Sequence, residues 1–349
     1  MPLRVIDLFA GCGGLTAGFA STGQFRSVAA VELDREAAAT YALNFGDHVH
    51  VGDISDWSET AMPEADIVVG GPPCQGFSAL GLQDPDDPRS QLWNQYLRVL
   101  RQVDPDYFIL ENVPQFLDSQ QFRDLLDETS PQGRLGSWRL EAHLLNASDH
   151  GTAQARRRAI VIGRRAGTPV LGRPARHALS LTVRDVLGAL PPRVTTVDLP
   201  DSWHDFRGTP LRGVFKMADL HVTRRPTERS EARFRAIPPG GNRFDLPDEL
   251  SSPGWRRHTS GSADVMGRLR WEKPSVTIRT EFYKPEKGRY LHPEQHRPIT
   301  HYEAALLQGF PENFLWCGRK QSIARQIGNA VPVPLAKTVA EHLLQRIGA

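Results

Sequence analysis

Short apolar runs alternate with helical patterns through the first half of the chain. The strand-like runs are Leu3–Phe9, Ser27–Val31, Val49–Val51, Ala65–Val69, Tyr107–Leu110 and Ala159–Gly163. Apolar positions with the spacing of a helix face lie between them, at Leu15–Ala20, Arg35–Phe45 and Ser90–Val103. Strands that alternate with helices predict an α/β fold, a doubly wound and mostly parallel sheet with helices on both faces.

Beyond Arg164 the pattern becomes irregular, because prolines, glycines and arginines accumulate and only short strands such as Ser275–Arg279 are expected. This part is also basic. Residues 164–298 hold 25 Lys and Arg against 15 Asp and Glu, a net charge of +10, whereas the rest of the chain holds 17 against 25, a net charge of −8. Such polarisation indicates a bound polyanion, although an arginine-rich surface that only faces solvent is about as consistent with it.

Helical periodicity returns at Thr300–Leu307 and Val333–Ile347. We therefore predict a second, smaller and loop-rich domain over residues 169–298. It would be inserted into a larger domain formed by residues 1–168 and 299–349. We expect the last helix to pack back on the larger domain.

The 349 residues include three cysteines, Cys12, Cys74 and Cys317, too few and too scattered for a disulfide framework or a four-ligand zinc site. No apolar run approaches the length that spans a bilayer. The first residues lack the basic and apolar regions of a signal peptide. We expect a cytoplasmic protein with no membrane partner and no metal.

A glycine-rich turn, Asp7–Gly14, follows the first strand and opens the first helix. Glycines there allow a ligand to approach the backbone beyond the strand ends. Glu32, which ends the second strand, is placed to bind two ribose hydroxyls, and Asp53, after the third, to accept a hydrogen bond from an adenine amino group. The pattern favours an adenosine-containing cofactor, but its spacing is not G-x-G-x-x-G, and such turns also occur without any cofactor.

Cys74 lies in the loop Gly70–Ser78, which follows the fourth strand and reads GGPPCQGFS. Its two prolines stiffen the loop and present the thiol at the edge of the sheet where substrates bind in such folds. A thiolate is a good nucleophile for an electron-poor ring carbon. A lone cysteine is more often a small buried hydrophobic residue, but the position beside two prolines argues against that interpretation here.

Other polar residues follow later strands. Glu111, directly after the fifth strand, could hydrogen-bond a ring nitrogen and an amino group of a substrate, although such an acid is more often only solvated. Alternation in an extended segment would put Arg156 and Arg158 on one face, where they could grip a base oxygen and a phosphate or simply face solvent. Asn329 and Val331, in a segment expected to open the last helix, could complete the cofactor pocket or form a plain helix start.

In this order, the motifs DLFAGCGG, GGPPCQGFS, ENV, QARRR and GNAVP resemble those of the cytosine-5 DNA methyltransferase family of bacterial restriction-modification systems. The segments LNASDHGTAQARRR and RPITHYEAALLQGFP are also similar to the family, so the resemblance reaches both ends of the chain. It implies a domain that binds S-adenosylmethionine and a target-recognition domain, facing each other across a DNA cleft. We then expect methyl transfer to carbon 5 of a flipped-out cytosine in a specific duplex sequence.

Carried over residue by residue, the resemblance makes Cys74 the nucleophile that adds to carbon 6 and Glu111 the partner of the ring nitrogen. Arg156 and Arg158 match the arginines that flank the cytosine. Phe9 matches the residue that stacks on adenine. The full set of matched cofactor contacts is Phe9, Gly11, Cys12, Gly13, Gly14, Glu32, Leu33, Asp53, Ile54, Pro72, Leu92, Asn329 and Val331.

Tyr302 stands where the family usually has arginine, which bears on the packing of the recognition domain and not on catalysis.

Two other functions stay open on sequence alone. A related subgroup that methylates cytosine in transfer RNA typically has proline and threonine where this chain has Gly76 and Ser78. A catalytically silent DNA-binding module is the other possibility, against which the intact Cys74 and Glu111 argue.

The resemblance implies double-stranded DNA as the partner of a monomer, with a cognate restriction endonuclease acting separately where one is present. The DNA sequence that is recognised depends on loop geometry that the sequence does not fix. Candidates for contacting bases or phosphates in the recognition segment are Trp203, Arg224, Arg225, Arg243, Arg256 and Arg257.

Overall fold

The computed structural model describes residues 1–58, 62–73, 88–178, 180–257, 260–261 and 263–347. The chain divides into two compact units. Unit 1 comprises Met1–His150, Arg157–His177 and Val331–Ala349, and unit 2 comprises Gly151–Arg156 and Ala178–Ala330. Compactness therefore groups residues 299–330 with unit 2, and the functional domain bounds expected from the sequence stay a prediction.

Within the described ranges, seven strands form the central sheet of unit 1. They are β1 Leu3–Leu8, β2 Phe25–Glu32, β3 Val49–Val51, β4 Ile67–Gly70, β5 Tyr107–Asn112, β6 Trp138–Asn146 and β7 Arg157–Arg165, in the order β3-β2-β1-β4-β5-β7-β6. The first five pair in parallel, whereas β7 runs antiparallel to both β5 and β6. The predicted doubly wound, mostly parallel sheet is confirmed.

The α-helices of the described residues are, in chain order, α1 Gly14–Ala20, α2 Arg35–Phe45, α3 Ile54–Ser58, α4 Pro88–Val103, α5 Gln120–Glu128, α6 Val183–Leu187, α7 Glu228–Ala236, α8 Pro253–Arg257, α9 His301–Leu307, α10 Lys320–Asn329 and α11 Val333–Ile347. In this part of the chain, none of them combines the length and the apolar character needed to cross a membrane. Phe108 and Ile109, neighbours in β5, point into two different core clusters of unit 1. Both faces of the sheet are therefore packed, which explains why its central strands read as unbroken apolar runs.

The last helix packs back on unit 1, as the sequence predicted, and there it lies against the first helix. Leu335, Val339 and Leu343 of α11 share a core cluster with Phe19 of α1. The two helices come close at Gly18, because a Cβ there would lie 2.4 Å from the Cβ of Ala336 and 2.6 Å from the backbone nitrogen of Lys337. The small residue thus sets the distance between the two helices.

Unit 2 contains a small antiparallel sheet in the order β10-β9-β8, built from β8 Trp203–Phe206, β9 Thr209–Phe215 and β10 Trp316–Cys317. A separate core cluster includes Phe234, Ile237, Met266 and Leu291. Arg268 is buried beside it and donates hydrogen bonds to four backbone carbonyls, including those of Phe234 and Ile237. Where regular elements are few, a buried guanidinium connects the loops by satisfying their carbonyls.

The start of α9 is held by a buried ion pair. Arg297 contacts both carboxylate oxygens of Glu303, at 2.7 and 2.8 Å, and Glu303 forms a capping box with Thr300. Burial alone would raise the pKa of Glu303, but the hydrogen bonds and positive charge of Arg297 hold it below its usual value.

Tyr302, which departs from the family pattern, packs edge-on against His221, with ring centroids 5.7 Å apart.

Some details of the predicted elements were wrong. Ser275–Arg279 is not a strand, because only an isolated bridge joins Ser275 to Gln154. The segment with Asn329 does not open the last helix but ends α10, and α11 begins at Val333. Pro332 explains the break, since it has no backbone N–H to continue the hydrogen bonds of α10. The strand β6, the helices α5 and α10 and the small sheet of unit 2 were not predicted.

Replacing Gly18 with alanine should lower the free energy of unfolding by about 1–3 kcal/mol, because the new methyl group meets the α11 backbone. Chemical denaturation of the wild type and the variant measures this change. Gly254→Ala is the matched control, since a Cβ there would have its nearest neighbour at 3.9 Å. Equal stabilities of Gly18→Ala and wild type would contradict the close packing of α1 on α11.

Candidate active site

The glycine-rich turn between β1 and α1 has an unusual backbone. Phe9, Gly11 and Gly13 all have positive φ, of 58°, 56° and 91°. A Cβ at Gly13 would lie 2.3 Å from the ring of Phe45, so this position requires glycine, whereas nothing lies within 4 Å of the Cβ position of Gly11. A non-glycine residue in the left-handed region costs of order 1–3 kcal/mol, which is typical of functional turns. The turn therefore leaves open space above Gly11.

Glu32 connects the end of β2 to this turn. Its Oε2 accepts a hydrogen bond from the backbone N–H of Gly11, and its Oε1 one from that of Asp34, both at 2.7 Å. Burial raises the pKa of Glu32, although these backbone donors act in the opposite direction. Glu32 thus lies beside the open turn and fixes the shape of that turn, while its role in ribose binding stays a prediction.

A buried hydrogen-bond chain behind the turn was missed from the sequence. Thr16 of α1 donates to Asp7 Oδ2 at 2.7 Å and contacts the hydroxyl of Tyr41 at 3.0 Å, and that hydroxyl contacts Ser27 at 2.7 Å. Burial raises the pKa of Asp7 to about 7. The chain links β1, β2, α1 and α2. Its only sequence signal was the first residue of the DLFAGCGG motif.

The other predicted cofactor residues of unit 1 differ in what they expose. Leu33 is 70% exposed, an apolar side chain in solvent directly after Glu32. Asp53 accepts hydrogen bonds from the backbone N–H and hydroxyl of Ser55, which lower its pKa. Ile54 and Cys12 are buried in the core, so their side chains cannot face a ligand and only their backbones could. Burial also raises the pKa of the Cys12 thiol, which disfavours the reactive thiolate form.

The carboxylate of Glu111 forms a nearly buried ion pair with Arg158. Its Oε1 lies 2.6 Å from Nε of Arg158, and both side chains are almost covered. The second carboxylate oxygen, Oε2, would lie 3.1 Å from a Cβ at Gly71. Glycine at that place therefore leaves room beside this oxygen. The structure thus brings Glu111 and Arg158 together at the end of β5, next to the first residues of the GGPPCQ loop.

The neighbouring Asn112 holds the same loop. Its Nδ2 donates to the carbonyl oxygen of Pro72 at 3.0 Å, and both residues are buried. Asn112 Oδ1 in turn accepts a hydrogen bond from the backbone N–H of Val113. Cys74 itself lies outside the described residues, two positions beyond Pro72. Asn112 was not singled out from the sequence, although it is the second letter of the ENV motif.

Arg156 and Asn329 belong to unit 2. The guanidinium of Arg156 is buried and donates to the backbone carbonyls of Ile278 and Gly328, at 2.9 and 3.0 Å. These contacts indicate that Arg156 holds the chain next to Asn329, the last residue of α10. The role of Arg156 at a base stays a prediction.

The remaining predicted cofactor residues belong to unit 1. Gly14 is the first residue of α1, Pro72 follows β4, and Leu92 lies on α4. Val331 is buried in the core cluster that also contains α11 side chains. Of these four, only Leu92 is not fully buried, so the others would act mainly through their backbones.

The candidate recognition residues are not equally available. Trp203 is 61% exposed, and Arg225, Arg256 and Arg257 are also exposed. Arg243 is buried and donates to the backbone carbonyl of Ser260 at 2.9 Å, so its side chain supports a loop instead of facing DNA. The sequence could not separate Arg243 from the exposed arginines, because all of them lie in one irregular segment.

Comparisons with known proteins show the family to which this chain belongs. The family model for C-5 cytosine-specific DNA methylases matches residues 3–345. Type II methyltransferase M1.HphI of Haemophilus parahaemolyticus is 32% identical over 99% of this chain and 87% of its own length. Type II methyltransferase M.XorII of Xanthomonas oryzae pv. oryzae is 33% identical over 98% of this chain and 84% of its own length.

Solved structures are similar over the same extent. A protein described as a DNA modification methyltransferase encoded within an E. coli prophage has 25% identity and a TM-score of 0.74, covering 99% of this chain and 100% of that one. The Entamoeba histolytica methyltransferase EhMeth has 14% identity and a TM-score of 0.62 over 99% of both chains, a likeness of fold alone. With its family model matched almost from end to end, this chain belongs to the C-5 cytosine-specific DNA methylase family.

Proposed function

We propose that this enzyme transfers a methyl group from S-adenosylmethionine to carbon 5 of a flipped-out cytosine in a specific sequence of double-stranded DNA, through a covalent adduct of Cys74. The observation that carries the proposal is the contact between the end of β5 and the loop that precedes Cys74. Glu111 leaves one carboxylate oxygen beside Gly71, and Asn112 holds the carbonyl of Pro72.

The glycine-rich turn fits S-adenosylmethionine. Open space lies above Gly11, Glu32 presents a carboxylate beside that space, and Leu33 exposes an apolar side chain against which an adenine could pack. Asp53 keeps Oδ1 on Ser55 and offers its other oxygen to an adenine amino group. When bound there, S-adenosylmethionine supplies an electrophilic methyl group on its sulfonium.

The protein side chains would make the base reactive. Carbon 5 of cytosine is a weak nucleophile, and addition of the Cys74 thiolate at carbon 6 makes it enamine-like. Glu111 would hydrogen-bond the ring nitrogen as negative charge develops there, while Arg158 keeps its carboxylate in place. Loss of the proton from carbon 5 after methylation would then expel Cys74.

A cytosine that is stacked inside duplex DNA cannot be reached for this chemistry, so it must be flipped out at a cost of a few kcal/mol. The net charge of +10 on residues 164–298 supports a DNA phosphate backbone as the polyanion.

We infer that a recognition segment over residues 169–298 serves a catalytic domain of residues 1–168 and 299–349. The names of the similar Type II methyltransferases favour a restriction-modification setting, in which a monomer acts in the cytoplasm apart from its endonuclease.

The variant Glu32→Gln should bind S-adenosylmethionine roughly 10- to 100-fold more weakly, because a charged acceptor is replaced by an amide beside the turn. Isothermal titration with the cofactor measures the change. Glu312→Gln, at an exposed position of unit 2, is the control and should titrate like the wild type. Unchanged affinity in Glu32→Gln would remove Glu32 from the cofactor site.

The variant Asn112→Ala should lower kcat by about 10- to 100-fold, because small displacements of a reacting group cost that much. The loss of its hydrogen bond to Pro72 releases the base of the Cys74 loop. Cofactor affinity should stay near the wild-type value. Asn146→Ala, which loses the side-chain hydrogen bond to Ser148, is the control for stability. A wild-type kcat in Asn112→Ala would show that this contact does not position the loop.

The variant Cys74→Ser should abolish methyl transfer to duplex DNA, because a serine hydroxyl is a much weaker nucleophile than a thiolate. DNA binding should be largely retained, as measured by a gel-shift titration on the same duplex. Cys317→Ser is the control, since Cys317 is buried in β10, where a hydroxyl can keep the hydrogen bond to the carbonyl of Arg212. Wild-type turnover by Cys74→Ser would overturn the assignment of the nucleophile.

A further inference from the structure

Asp7, near the end of β1, is a buried acid that the proposed chemistry does not use. Only 1% of this residue is exposed, and burial is the main reason why its pKa rises to about 7. Its Oδ2 accepts a hydrogen bond from the hydroxyl of Thr16 at 2.7 Å, whereas its Oδ1 has no hydrogen-bond partner among the described residues. In that part of the chain no cation hydrogen-bonds this carboxylate, so its charge is uncompensated when it ionises.

The hydroxyl of Thr16 is the first of three that lead from Asp7 to a half-buried histidine. The hydroxyl of Tyr41 lies 3.0 Å from that of Thr16 and 2.7 Å from that of Ser27. Ser27 in turn lies 2.9 Å from Nε2 of His48. Tyr41 is fully buried, whereas Ser27 and His48 are half-buried, so the chain runs from the interior of unit 1 to its surface.

This chain can satisfy Asp7 in either charge state, because each hydroxyl both donates and accepts. When Asp7 is ionised, every hydroxyl donates toward it, and Nε2–H of His48 donates to Ser27. When Asp7 is protonated, all of these bonds reverse, and Nε2 of a neutral His48 accepts. Burial lowers the pKa of His48, while Asp47 raises it and Arg26 lowers it further. Asp7 can therefore change its charge without leaving a hydroxyl of the chain unpaired.

The charge of Asp7 is felt at the glycine-rich turn. The charge of Glu32, which accepts a hydrogen bond from the N–H of Gly11 in that turn, contributes to the raised pKa of Asp7. Burial is the main reason why the pKa of the Cys12 thiol, inside the turn, is raised, but the charges of Glu32 and Asp7 both add to it. An ionised Asp7 therefore makes the potential at the turn more negative, and it does so through space because its carboxylate is covered.

Two tyrosines also face Asp7, namely Tyr41 on α2 and Tyr96 on α4. Burial is the main reason why the pKa values of both hydroxyls are raised, and the charge of Asp7 raises them further. Both hydroxyls are therefore uncharged at neutral pH. Among the described groups that face Asp7, Glu32 is thus the other acid whose ionisation must be separated from that of Asp7, since burial raises its pKa as well.

We propose that Asp7 is a specificity residue of the cofactor site, whose negative charge favours the sulfonium of S-adenosylmethionine over the uncharged sulfur of the product, S-adenosylhomocysteine. The inference rests on the proposed function, since it takes the turn as the cofactor site. The two ligands differ by one methyl group and one positive charge. A charge in a low-dielectric interior acts at longer range than in water, so Asp7 need not touch either ligand.

This preference should follow the ionisation of Asp7. As the pH falls through about 7, the carboxylate takes up a proton and loses its charge. The affinity for the cationic S-adenosylmethionine then falls, whereas that for S-adenosylhomocysteine does not change for this reason. The ratio of the dissociation constant of the product to that of the methyl donor should therefore rise with pH.

The test titrates the full-length protein without DNA, by calorimetry, with each ligand separately from about pH 5.5 to about pH 8. In the wild type the ratio should rise roughly three- to tenfold, the effect of a shift of up to about one pKa unit. Asp7→Asn keeps the size of the side chain but not its charge, and should reduce the rise to less than about twofold, leaving only the titration of Glu32. Asp118→Asn is the control, because it removes an exposed carboxylate of unit 1 that solvent screens.

Tyr41→Phe keeps the carboxyl group but changes its titration, and it decides the test where Asp7→Asn does not fold. Without the Tyr41 hydroxyl, Thr16 has no acceptor in the chain when Asp7 is protonated. The ionised state is then favoured, and the midpoint of the rise should move to lower pH by at least about 0.5 units.

A ratio that does not vary with pH in the wild type would overturn the proposal, as would an equal rise in Asp7→Asn or an unchanged midpoint in Tyr41→Phe. These results leave the proposed function intact, because both ligands still bind. Binding of neither ligand at any pH would instead overturn the proposed cofactor site and this inference with it.

Discussion

The site depends on how the end of β5 holds the loop after β4. Parallel neighbouring strands bring their carboxyl ends to one edge, and Glu111 and Asn112 use that edge in two ways. Asn112 binds the carbonyl of Pro72, and Glu111 approaches Gly71 while Arg158 secures its other oxygen. Removing one partner of such a covered ion pair typically costs 3–5 kcal/mol. The positions of Gly71 and Pro72, which precede Cys74 in the chain, are therefore set from the neighbouring strand.

Much of unit 1 could be predicted because its strands are buried on both faces and its helices are amphipathic. The bounds of α11 follow directly from such a pattern, whereas α2, buried over residues 37–41, was predicted from its alanine-rich run. The missed elements lack such a signal. The strand β6 lies at the sheet edge with mostly half-buried residues, so its pattern is weak. The predicted roles, in contrast, came from motifs. A motif does not tell which of two neighbouring residues, such as Glu111 and Asn112, binds the backbone of the adjacent loop.

Net charge was the least specific guide to unit 2. Several of the arginines behind the value of +10 are internal supports and not surface charge. Arg268 satisfies backbone carbonyls, Arg297 binds Glu303, and Arg243 holds the carbonyl of Ser260. A loop-rich unit uses guanidinium groups in this way because each offers five donors in a rigid plane. Exposed residues such as Trp203 are the better candidates for contact with DNA.

The central claim is that these residues direct a methyl group to carbon 5 of cytosine in DNA. The most direct measurement incubates the protein with radiolabelled S-adenosylmethionine and either duplex DNA or transfer RNA, digests each to nucleosides, and identifies the labelled product. We expect label in 5-methyl-2′-deoxycytidine from duplex DNA. Label on the exocyclic nitrogen of cytosine, or label in transfer RNA and none in DNA, would contradict it.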